Sequence, residues 1–584
     1  MLYYSTLKPM TPEPMQTVLR NIRAPHSRAV VSVCASFAAL VVAMSALALS
    51  PSTTPTPLGQ FEPVGVGPFW SLSIWNWFAV GLLVSLCLIV ESQAGRVAAI
   101  ASFGIATIAS LGYLEPLGVF HDSWQNVGLG QLATSTAARE VDAARQIPYV
   151  HSSPGSFLLL GILRSTLPNT PSLLRIYPIF ALVLYCSGVY LLAGAFAAAH
   201  SPRFRVDHTR YRLLSVFAFL ALAPLFWVRI NPAPQSLAFA LMPFCLASML
   251  KGSAGIGHRI LALAAFCTIV LTHSITSVMI IAIGTGWMLF DLLRTHSRNG
   301  KSVLAPNTVL LYGSVFLLWM IYIGVWILRS GGSFVQRMLE TLNSGQQAHI
   351  TAVSTSGLEA FIWMHRGALA GGAVLILVGF IMIMRVDRIA GARLAIWFST
   401  AVVWFPLLLF GEFADRGPLF AALPASLTMG YVFAAAPRRP FAWAMRVMMI
   451  LTALTSYTTA YSNHTSEVIS AAEVAAFDVI VRQSSDQPIA YGYAAPLEQQ
   501  NLYIYGDPDR VREYAIGAAD FSYERLIQLN GVVVISDQMR ERATLAGPEA
   551  LARLQEFEAR MLAQPDYELI FDNGSVRAFR ARSD

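Results

Sequence analysis

The chain has 584 residues, of which 55% are hydrophobic and only 12% charged, and this composition excludes an ordinary soluble globular protein. The net charge of +7 is unevenly divided, because residues 1–461 carry 29 basic and 14 acidic residues whereas residues 462–584 carry 11 and 19. The basic excess lies between apolar stretches, which is typical of membrane topology and argues against a nucleic-acid partner. The sequence therefore predicts a protein whose surroundings are membrane lipids.

Thirteen apolar stretches follow one another, and most approach the ~20 residues that a helix needs to cross the hydrocarbon core. They are residues 29–50, 69–90, 97–120, 173–198, 213–229, 235–250, 260–274, 275–293, 306–328, 357–384, 394–411, 418–436 and 441–461. We predict a mainly α fold, a polytopic transmembrane helical bundle of about 13 spans with a small C-terminal α/β domain.

Lys and Arg residues near the span ends are concentrated on alternate loops, with twenty on one side and seven on the other. Because basic loops stay cytoplasmic, the N-terminus is expected inside the cell (plasma) membrane, and an odd number of spans leaves the C-terminal domain extracytoplasmic. The predicted organisation is a cytoplasmic basic leader at 1–28, a transmembrane domain at 29–461 and an extracytoplasmic α/β domain at 462–584. The two long outer loops are residues 121–172 and 329–356.

Within the first long outer loop, residues 154–167 are apolar but too short to span, which favours a helix lying along the outer interface. The C-terminal domain begins with a capping box at Ser470 and Glu473, which predicts a helix to about residue 483. Further elements are predicted as strands at 489–493, 502–505 and 532–535, a helix at 548–563, and a hairpin of 567–571 with 576–579.

Asp122 is the main candidate for catalysis, because it lies where the third apolar stretch leaves the membrane. A carboxylate that is partly desolvated at this depth can act as a general base, or it can hold a divalent cation beside a lipid phosphate. The alternative is structural, since Asp122 also suits the N-cap of a helix beginning at Ser123.

Other ionisable residues lie near the outer ends of the spans, where such groups usually face a cavity or a partner. They are Arg175, Arg229 (followed by Asn231), His273, His365, Arg366, Glu412 and Arg416. The planar guanidinium fork suits phosphate, so several Arg with one Asp at a common level predict a site for a lipid-linked phosphate. Structural explanations remain open for several of them: Arg175 and Arg229 as headgroup anchors, His273 as a packed histidine, and Glu412 with Arg416 as a helical pair.

Several short motifs resemble those of the GT-C fold membrane glycosyltransferases, in particular prokaryotic and archaeal multispanning members. They are Phe120-His121-Asp122-Ser123-Trp124-Gln125, Tyr149-Val150-His151-Ser152-Ser153-Pro154-Gly155-Ser156-Phe157, Leu174-Arg175-Ile176-Tyr177-Pro178, Asn231-Pro232-Ala233-Pro234-Gln235-Ser236, Leu271-Thr272-His273-Ser274-Ile275-Thr276-Ser277 and Ile570-Phe571-Asp572-Asn573-Gly574-Ser575-Val576. These pieces are scattered over about residues 112–580. His121 and His151, inside the first two motifs, join the candidate substrate-binding residues.

The resemblance implies transfer of a sugar from a polyprenyl-phosphate-linked donor on the outer face, with inversion at the anomeric carbon. It implies that Asp122 is the general base or a ligand of Mg or Mn, and that Arg175 and Arg416 bind the donor phosphate. The acceptor remains a glycan, a lipid or a protein. The sequence departs from oligosaccharyltransferases because a Trp-Trp-Asp motif is missing, which disfavours transfer to protein asparagine.

Two other classes remain as alternatives. An O-antigen-type polymerase or ligase also places Arg-rich loops outside, and it would differ in using an oligosaccharide on a pyrophosphate. A non-enzymatic transporter or scaffold is the other alternative, although transporters usually show repeat symmetry and charges at the membrane midplane. In this sequence the unusual polar residues collect near one face.

Overall fold

The structure, a computed structural model, describes residues 25–49, 73–114, 122–134, 150, 153–167, 170–200, 204, 206–226, 228, 230–251, 255–297, 306–324, 359–408, 416–435, 439–462, 473, 475–476, 479–480, 489–491, 511–513, 531–537, 539–540 and 548–582. The described part up to residue 462 consists mainly of helices, and the described part from residue 489 onward contains a β-sheet.

Each of the thirteen predicted apolar stretches overlaps a helix. The helices are α1 Pro25–Ala48, α2 Ile74–Ile89, α3 Gln93–Leu114, α4 Asp122–Thr134, α5 Pro154–Thr166, α6 Thr170–Ala199, α7 His208–Leu222, α8 Pro234–Leu250, α9 Ile256–Thr272, α10 Ser274–Ser297, α11 Pro306–Tyr322, α12 Glu359–Val386, α13 Arg388–Leu408, α14 Arg416–Ala435 and α15 Arg439–Ser462. His273 alone separates α9 from α10, so the adjacent predicted stretches at 260–274 and 275–293 are joined by a very tight turn.

The helical part has the surface of a membrane protein. Among the described residues, four helical segments are long and apolar enough to cross a bilayer, namely Arg28–Ala48, Thr170–Ala199, Ser274–Arg294 and Arg366–Val386. Large apolar side chains such as Phe37, Val183 and Leu318 are exposed along the helices, which in water would be a severe solubility cost but in lipid is favourable. The chain is therefore a membrane protein.

Helix α7 forms the centre of the bundle. From Leu213 to Leu222 every residue is buried, which is expected of a helix that is apolar on all sides and surrounded by other helices. It contacts α3, α6, α14 and α15, and Gly430 of α14 lies against Ser215 so closely that a Cβ would collide with it. Close approach through small residues is how helices commonly associate where apolar burial gives no driving force.

Helix α5, predicted as a juxtamembrane helix from its length, is confirmed as a helix and packs along α4. The two helices cross at a pair of glycines, because a Cβ on Gly130 would lie 2.9 Å from Gly161 N and one on Gly161 would meet Gly130 O. This contact fixes α4, which begins at Asp122, against a second helix.

We expect Gly161→Ala to lower the free energy of unfolding by about 1–3 kcal/mol, since the added methyl group forces the α4 and α5 backbones apart. Gly313→Ala in α11 is the matched control, because nothing lies within 4 Å of its Cβ and alanine favours a helix. Thermal unfolding in detergent measures both. Equal melting temperatures for the two variants would contradict the close packing of α4 on α5.

A buried ionic cluster ties α6, α10 and α13 together at one end of the bundle. Arg393 Nη2 donates to both Asp291 oxygens, at 2.9 and 3.0 Å, and both side chains are 2% exposed. Arg393 Nη1 lies 3.1 Å from Nε2 of His200, whose Nδ1 lies 2.7 Å from Phe196 O. Because a carbonyl oxygen only accepts, Nδ1 carries the proton and Nε2 accepts from Arg393. We call this end of the bundle, where α6 ends and α13 begins, the Arg393 end.

The C-terminal part contains a five-stranded mixed sheet. Its strands are β1 Ile489–Tyr491, β2 Val511–Glu513, β3 Val532–Ser536, β4 Tyr567–Asp572 and β5 Val576–Ala581, in the order β2-β1-β3-β5-β4. Helix α16, Pro548–Ala563, precedes the β4–β5 hairpin, so this helix and the hairpin lie where the sequence predicts them. The predicted strand at 502–505 and most of the helix predicted after Ser470 lie outside the described residues. Strand β2 was not predicted.

The hairpin turn follows from its residue types. Gly574 has a φ of +86°, a conformation that glycine adopts without strain, and its N–H donates to Asp572 Oδ1 at 2.8 Å. That hydrogen bond lowers the pKa of the Asp572 carboxyl, and Arg577 contributes in the same direction. Asn573 Oδ1 accepts from Ser575 N and Val576 N, so the amide oxygen has local partners.

The sheet packs on the helices at the end opposite to the Arg393 end. Val532 and Val534 of β3 and Val576 and Ala578 of β5 belong to one buried cluster together with residues from α4 and α6. The residues from these helices are Trp124, Val127, Leu173 and Leu174. The sheet therefore holds the beginnings of α4 and α6 together.

Candidate functional site

Asp122 and Arg175 lie at the beginnings of two helices that meet. Asp122 is the first residue of α4, and Arg175 directly follows Leu174 near the start of α6. Trp124 and Leu174 share a buried cluster, and α4 contacts α6. The N-terminus of a helix favours an anion because its N–H groups carry partial positive charge. We call this end of the bundle, where α4, α6 and α8 begin and α9 ends, the Asp122 end.

The segment from Asn231 to Ser236 is joined to α6 just below Arg175. Tyr185 donates its hydroxyl proton to Ser236 O at 2.8 Å, and a Cβ on Gly188 would lie 2.6 Å from Pro243 Cγ, so α6 and α8 run side by side in the same direction. Arg175 lies thirteen residues before Gly188 and Pro234 lies nine before Pro243, so the loop that precedes α8 reaches about the level of Arg175.

His273 lies at this level as well. Helices α8 and α9 are antiparallel neighbours, and Cys245 Sγ lies 3.6 Å from Ala262 O. Moving eleven residues along each helix from this pair, in opposite directions, reaches Pro234 and His273. His273 is buried, and its Nδ1 is hydrogen-bonded to Thr276 Oγ1 at 2.9 Å. The site thus gains a histidine whose ring is held by a threonine in the first turn of α10.

The beginning of α5 also reaches this level. A Cβ on Gly155 would lie 3.3 Å from the Leu271 carbonyl oxygen, so the two backbones are in contact two residues before His273. Gly155 belongs to the motif that contains His151, and the absence of a side chain allows this approach. Gly155, at the start of α5, is therefore brought beside Leu271, two residues before His273.

Helix α14 brings Arg416 to the same end. Phe420 of α14 packs edge-on against Phe239 of α8, with ring centroids 5.9 Å apart. Arg416 lies four residues before Phe420, and Pro234 lies five residues before Phe239. At about 1.5 Å per residue, both positions are about 6–8 Å beyond the ring pair.

Arg366 of α12 also lies toward the Asp122 end of the bundle. A Cβ on Gly372 would lie 3.3 Å from Leu225 Cδ2, just after the end of α7. Arg366 precedes Gly372 by six residues, which is about 9 Å along the helix toward the Asp122 end. Arg366 and Arg175 are both exposed, and Arg175 shares its face of α6 with the exposed Ile179 and Val183.

The remaining predicted site residues are only partly described. Asp122, His365 and Arg416 lie in helices, but their side chains lie outside the described part of the structure. His121, His151, Arg229 and Glu412 lie outside the described residues altogether. Among the described residues no three His, Cys, Asp or Glu side chains form a group able to hold a metal, so the cation predicted at Asp122 stays a prediction.

One polar residue at the Asp122 end was not selected as a site residue from the sequence. Asn231 is 1% exposed, and in the part of the chain that the structure describes neither its Oδ1 nor its Nδ2 has a hydrogen-bond partner. Buried polar groups without partners are rare in native structures. The sequence signal is Asn231-Pro232-Ala233-Pro234, in which two prolines remove N–H groups that would otherwise be available to the asparagine.

No known protein-family model matches the chain, and no curated protein is similar to it in sequence. Solved structures are similar in fold. The structure of ArnT from Cupriavidus metallidurans bound to undecaprenyl phosphate has 13% identity and a TM-score of 0.49, over 84% of this chain and 98% of that chain. The apo oligosaccharyltransferase from Archaeoglobus fulgidus has 12% identity and a TM-score of 0.46, over 90% of this chain and 75% of that chain.

A further structure of the Archaeoglobus fulgidus oligosaccharyltransferase, in complex with Zn and sulfate, has 13% identity and a TM-score of 0.42, over 80% of this chain and 69% of that chain. ArnT and this oligosaccharyltransferase are GT-C fold membrane glycosyltransferases, the superfamily whose motifs the sequence resembles. At TM-scores below 0.5, these likenesses leave the reaction and the substrate to be inferred from the residues of this chain.

Proposed function

We propose that the chain is an integral membrane glycosyltransferase that transfers a sugar from a polyprenyl-phosphate-linked donor to an acceptor on the extracytoplasmic face. The observation that carries the proposal is the common level of Arg175, Asn231, His273 and Arg416 at the Asp122 end. These positions come from separate helices, and structural packing alone gives no reason for cationic and polar residues to collect at one level of an apolar bundle.

The chemistry of such a site is displacement at the anomeric carbon. The acceptor hydroxyl oxygen forms a bond to C1 while the bond from C1 to the phosphate oxygen breaks, and polyprenyl phosphate leaves with both electrons. Asp122 takes the proton of the acceptor hydroxyl. Arg175 and Arg416 stabilise the negative charge that grows on the departing phosphate, because fixed guanidinium groups in a poorly hydrated site need no reorganisation.

The orientation of the site follows from charge. Basic residues are concentrated in the loops at the Arg393 end, including those that contain Lys251 and Arg298. Because basic loops resist translocation, the Arg393 end is cytoplasmic and the Asp122 end is extracytoplasmic. Residues 1–28 then form a cytoplasmic leader, 29–461 the transmembrane domain and 462–584 an extracytoplasmic domain.

The C-terminal sheet has a positioning role in this scheme. It packs on Trp124 of α4 and Leu174 of α6, each within two residues of a proposed site residue. Holding the two helix beginnings together keeps the base near the donor phosphate, and small displacements of reacting groups are costly in rate. If a divalent cation such as Mg or Mn takes part, Asp122 is its ligand in this chain and the cation supplies further charge to the phosphate.

The test uses purified protein in lipid nanodiscs with a panel of undecaprenyl-phosphate-linked sugars and lipid, glycan or protein acceptors. We expect Arg366→Gln to reduce sugar transfer about 10-fold or more. Arg366 is one of the predicted substrate-binding residues, and a hydrogen bond from a charged group to a substrate contributes about 1.5–3 kcal/mol, which glutamine cannot replace. Arg385→Gln is the matched control, because Arg385 is also exposed on α12 but lies nineteen residues away, at the Arg393 end.

Equal activity of Arg366→Gln, Arg385→Gln and the unmodified protein would show that Arg366 only anchors α12 in the headgroup layer. Absence of transfer by the unmodified protein with every donor and acceptor class, combined with no affinity for undecaprenyl phosphate, would overturn the proposed function.

A further inference from the structure

Asn231 differs from the other polar residues at the Asp122 end because both functional atoms of its side chain lack hydrogen-bond partners among the described residues. It is 1% exposed, and the loop that carries it is buried on both sides, at Ile230 and Ala233. A buried amide without hydrogen bonds has lost water and gained nothing in return. Such a group persists where a ligand supplies the missing partners.

The loop itself explains why the protein does not supply these partners. An asparagine in a turn usually accepts hydrogen bonds from the backbone two or three residues later, as Asn573 does from Ser575 N and Val576 N. After Asn231, Pro232 and Pro234 have no N–H, and the N–H of Ala233 does not bond to Oδ1. The two prolines therefore remove backbone donors that usually satisfy an asparagine in a turn.

The chemistry of the amide selects the kind of ligand. Nδ2 is a donor and Oδ1 is an acceptor, so a complete partner must both accept and donate. A phosphate dianion only accepts, and it would leave Oδ1 without a hydrogen bond. Sugar hydroxyl groups accept and donate, and two neighbouring hydroxyls match the two adjacent atoms of one amide.

We infer that Asn231 binds hydroxyl groups of the donor's sugar, and that it contributes to sugar selectivity in a site whose phosphate is held by arginines. This inference rests on the proposed function. Its geometric support is the level that Asn231 shares with His273 and with the start of α6, where Arg175 lies. The donor's two parts are thus recognised by different residue types, with the sugar bound by an amide and the phosphate by guanidinium groups.

The test compares two probes by native mass spectrometry of the full chain in nanodiscs: undecaprenyl phosphate alone, and the same lipid phosphate carrying one of a panel of hexoses and pentoses. We expect the unmodified protein to bind at least one sugar-linked probe about 10-fold or more tightly than the bare lipid phosphate. Asn231→Leu is expected to bind the bare lipid phosphate normally and to lose the preference for the sugar-linked probe.

The melting temperature gives a second measurement, because it would fall in the Asn231 variants if Asn231 had a purely structural role. Removing an unpartnered buried amide relieves its desolvation cost, so Asn231→Leu is expected to melt at the same temperature as the unmodified protein or higher. Asn76→Leu is the matched control, because Asn76 in α2 is also buried with an unpaired Oδ1 but lies on a helix outside the proposed site. It should keep the sugar preference. If Asn231→Leu does not fold, Asn231→Ala replaces it in both measurements.

The outcomes separate this inference from the proposed function. An unmodified protein that binds neither probe overturns the proposed function. An unmodified protein that binds both probes equally overturns the sugar-binding role alone. Asn231 variants that keep the preference for the sugar-linked probe, or that weaken binding of both probes by the same factor, also contradict the role of Asn231.

Discussion

Asp122→Asn is expected to lower the rate of sugar transfer by about 10²–10⁴-fold, the range that a positioned general base usually contributes. The amide has nearly the shape of the carboxylate but cannot take the acceptor's proton. Asparagine is as favourable as aspartate at the start of a helix, so α4 should be retained. The measurement is the transfer rate in nanodiscs, together with the affinity for undecaprenyl phosphate, which should change little.

Glu91→Gln is the control for this substitution. Glu91 is an exposed carboxylate beyond the end of α2, 3.7 Å from Arg28, and it lies far from the beginning of α4. Its variant should transfer sugar at the normal rate. Near-normal product formation by Asp122→Asn would contradict the assignment of Asp122 as the base. Slower transfer together with a lower melting temperature would indicate that Asp122 has a structural role at the start of α4.

Arg393→Leu is expected to have the largest effect on stability, lowering the free energy of unfolding by about 3–5 kcal/mol. The substitution leaves the Asp291 carboxylate buried without its counter-charge, and His200 Nε2 without a donor. Removing both charges in the double variant Arg393→Leu, Asp291→Leu should recover much of the lost free energy of unfolding, because the destabilisation comes from the uncompensated charge of Asp291. Unfolding in detergent mixtures, followed by circular dichroism, measures all three proteins.

Arg388→Leu provides the comparison for this cluster. Arg388 begins the same helix, α13, but its side chain is exposed, so its loss should change the free energy of unfolding by no more than about 0.5 kcal/mol. Equal stability of Arg393→Leu and Arg388→Leu would contradict the buried pair. A double variant less stable than Arg393→Leu alone would show that Asp291 contributes by some means other than its charge.

Most of the helices could be predicted from the sequence, because a membrane-spanning segment is marked by length and hydropathy alone. The hairpin was also predictable, since Asp572-Asn573-Gly574 contains both the residue that adopts a positive φ and the side chains that accept from the turn. Strand β2 could not be predicted, because Val511-Arg512-Glu513 has no apolar run and, among the described residues, pairs with β1 at the edge of the sheet. Its conformation depends on a neighbour that is distant in sequence.

The candidate site was predictable as a set of residue types but not as an arrangement. Alternation of the spans predicts that Arg175, His273 and Arg416 lie near one face. Their common level depends on helix pairings such as Gly188 with Pro243 and Phe239 with Phe420, which result from packing of residues far apart in sequence. The orphaned amide of Asn231 was also beyond prediction, because hydrogen-bonding status depends on everything that surrounds a residue.

The most direct test of a shared anion site at the Asp122 end is an experimental structure of the full chain in nanodiscs with undecaprenyl phosphate bound. The proposed function predicts phosphate density within hydrogen-bonding distance of the Arg175 and Arg416 guanidinium groups, with Asp122 and Asn231 lining the same cavity. Phosphate density elsewhere, with the Arg175 side chain extending along the lipid-facing side of α6 beside Ile179 and Val183, would contradict it.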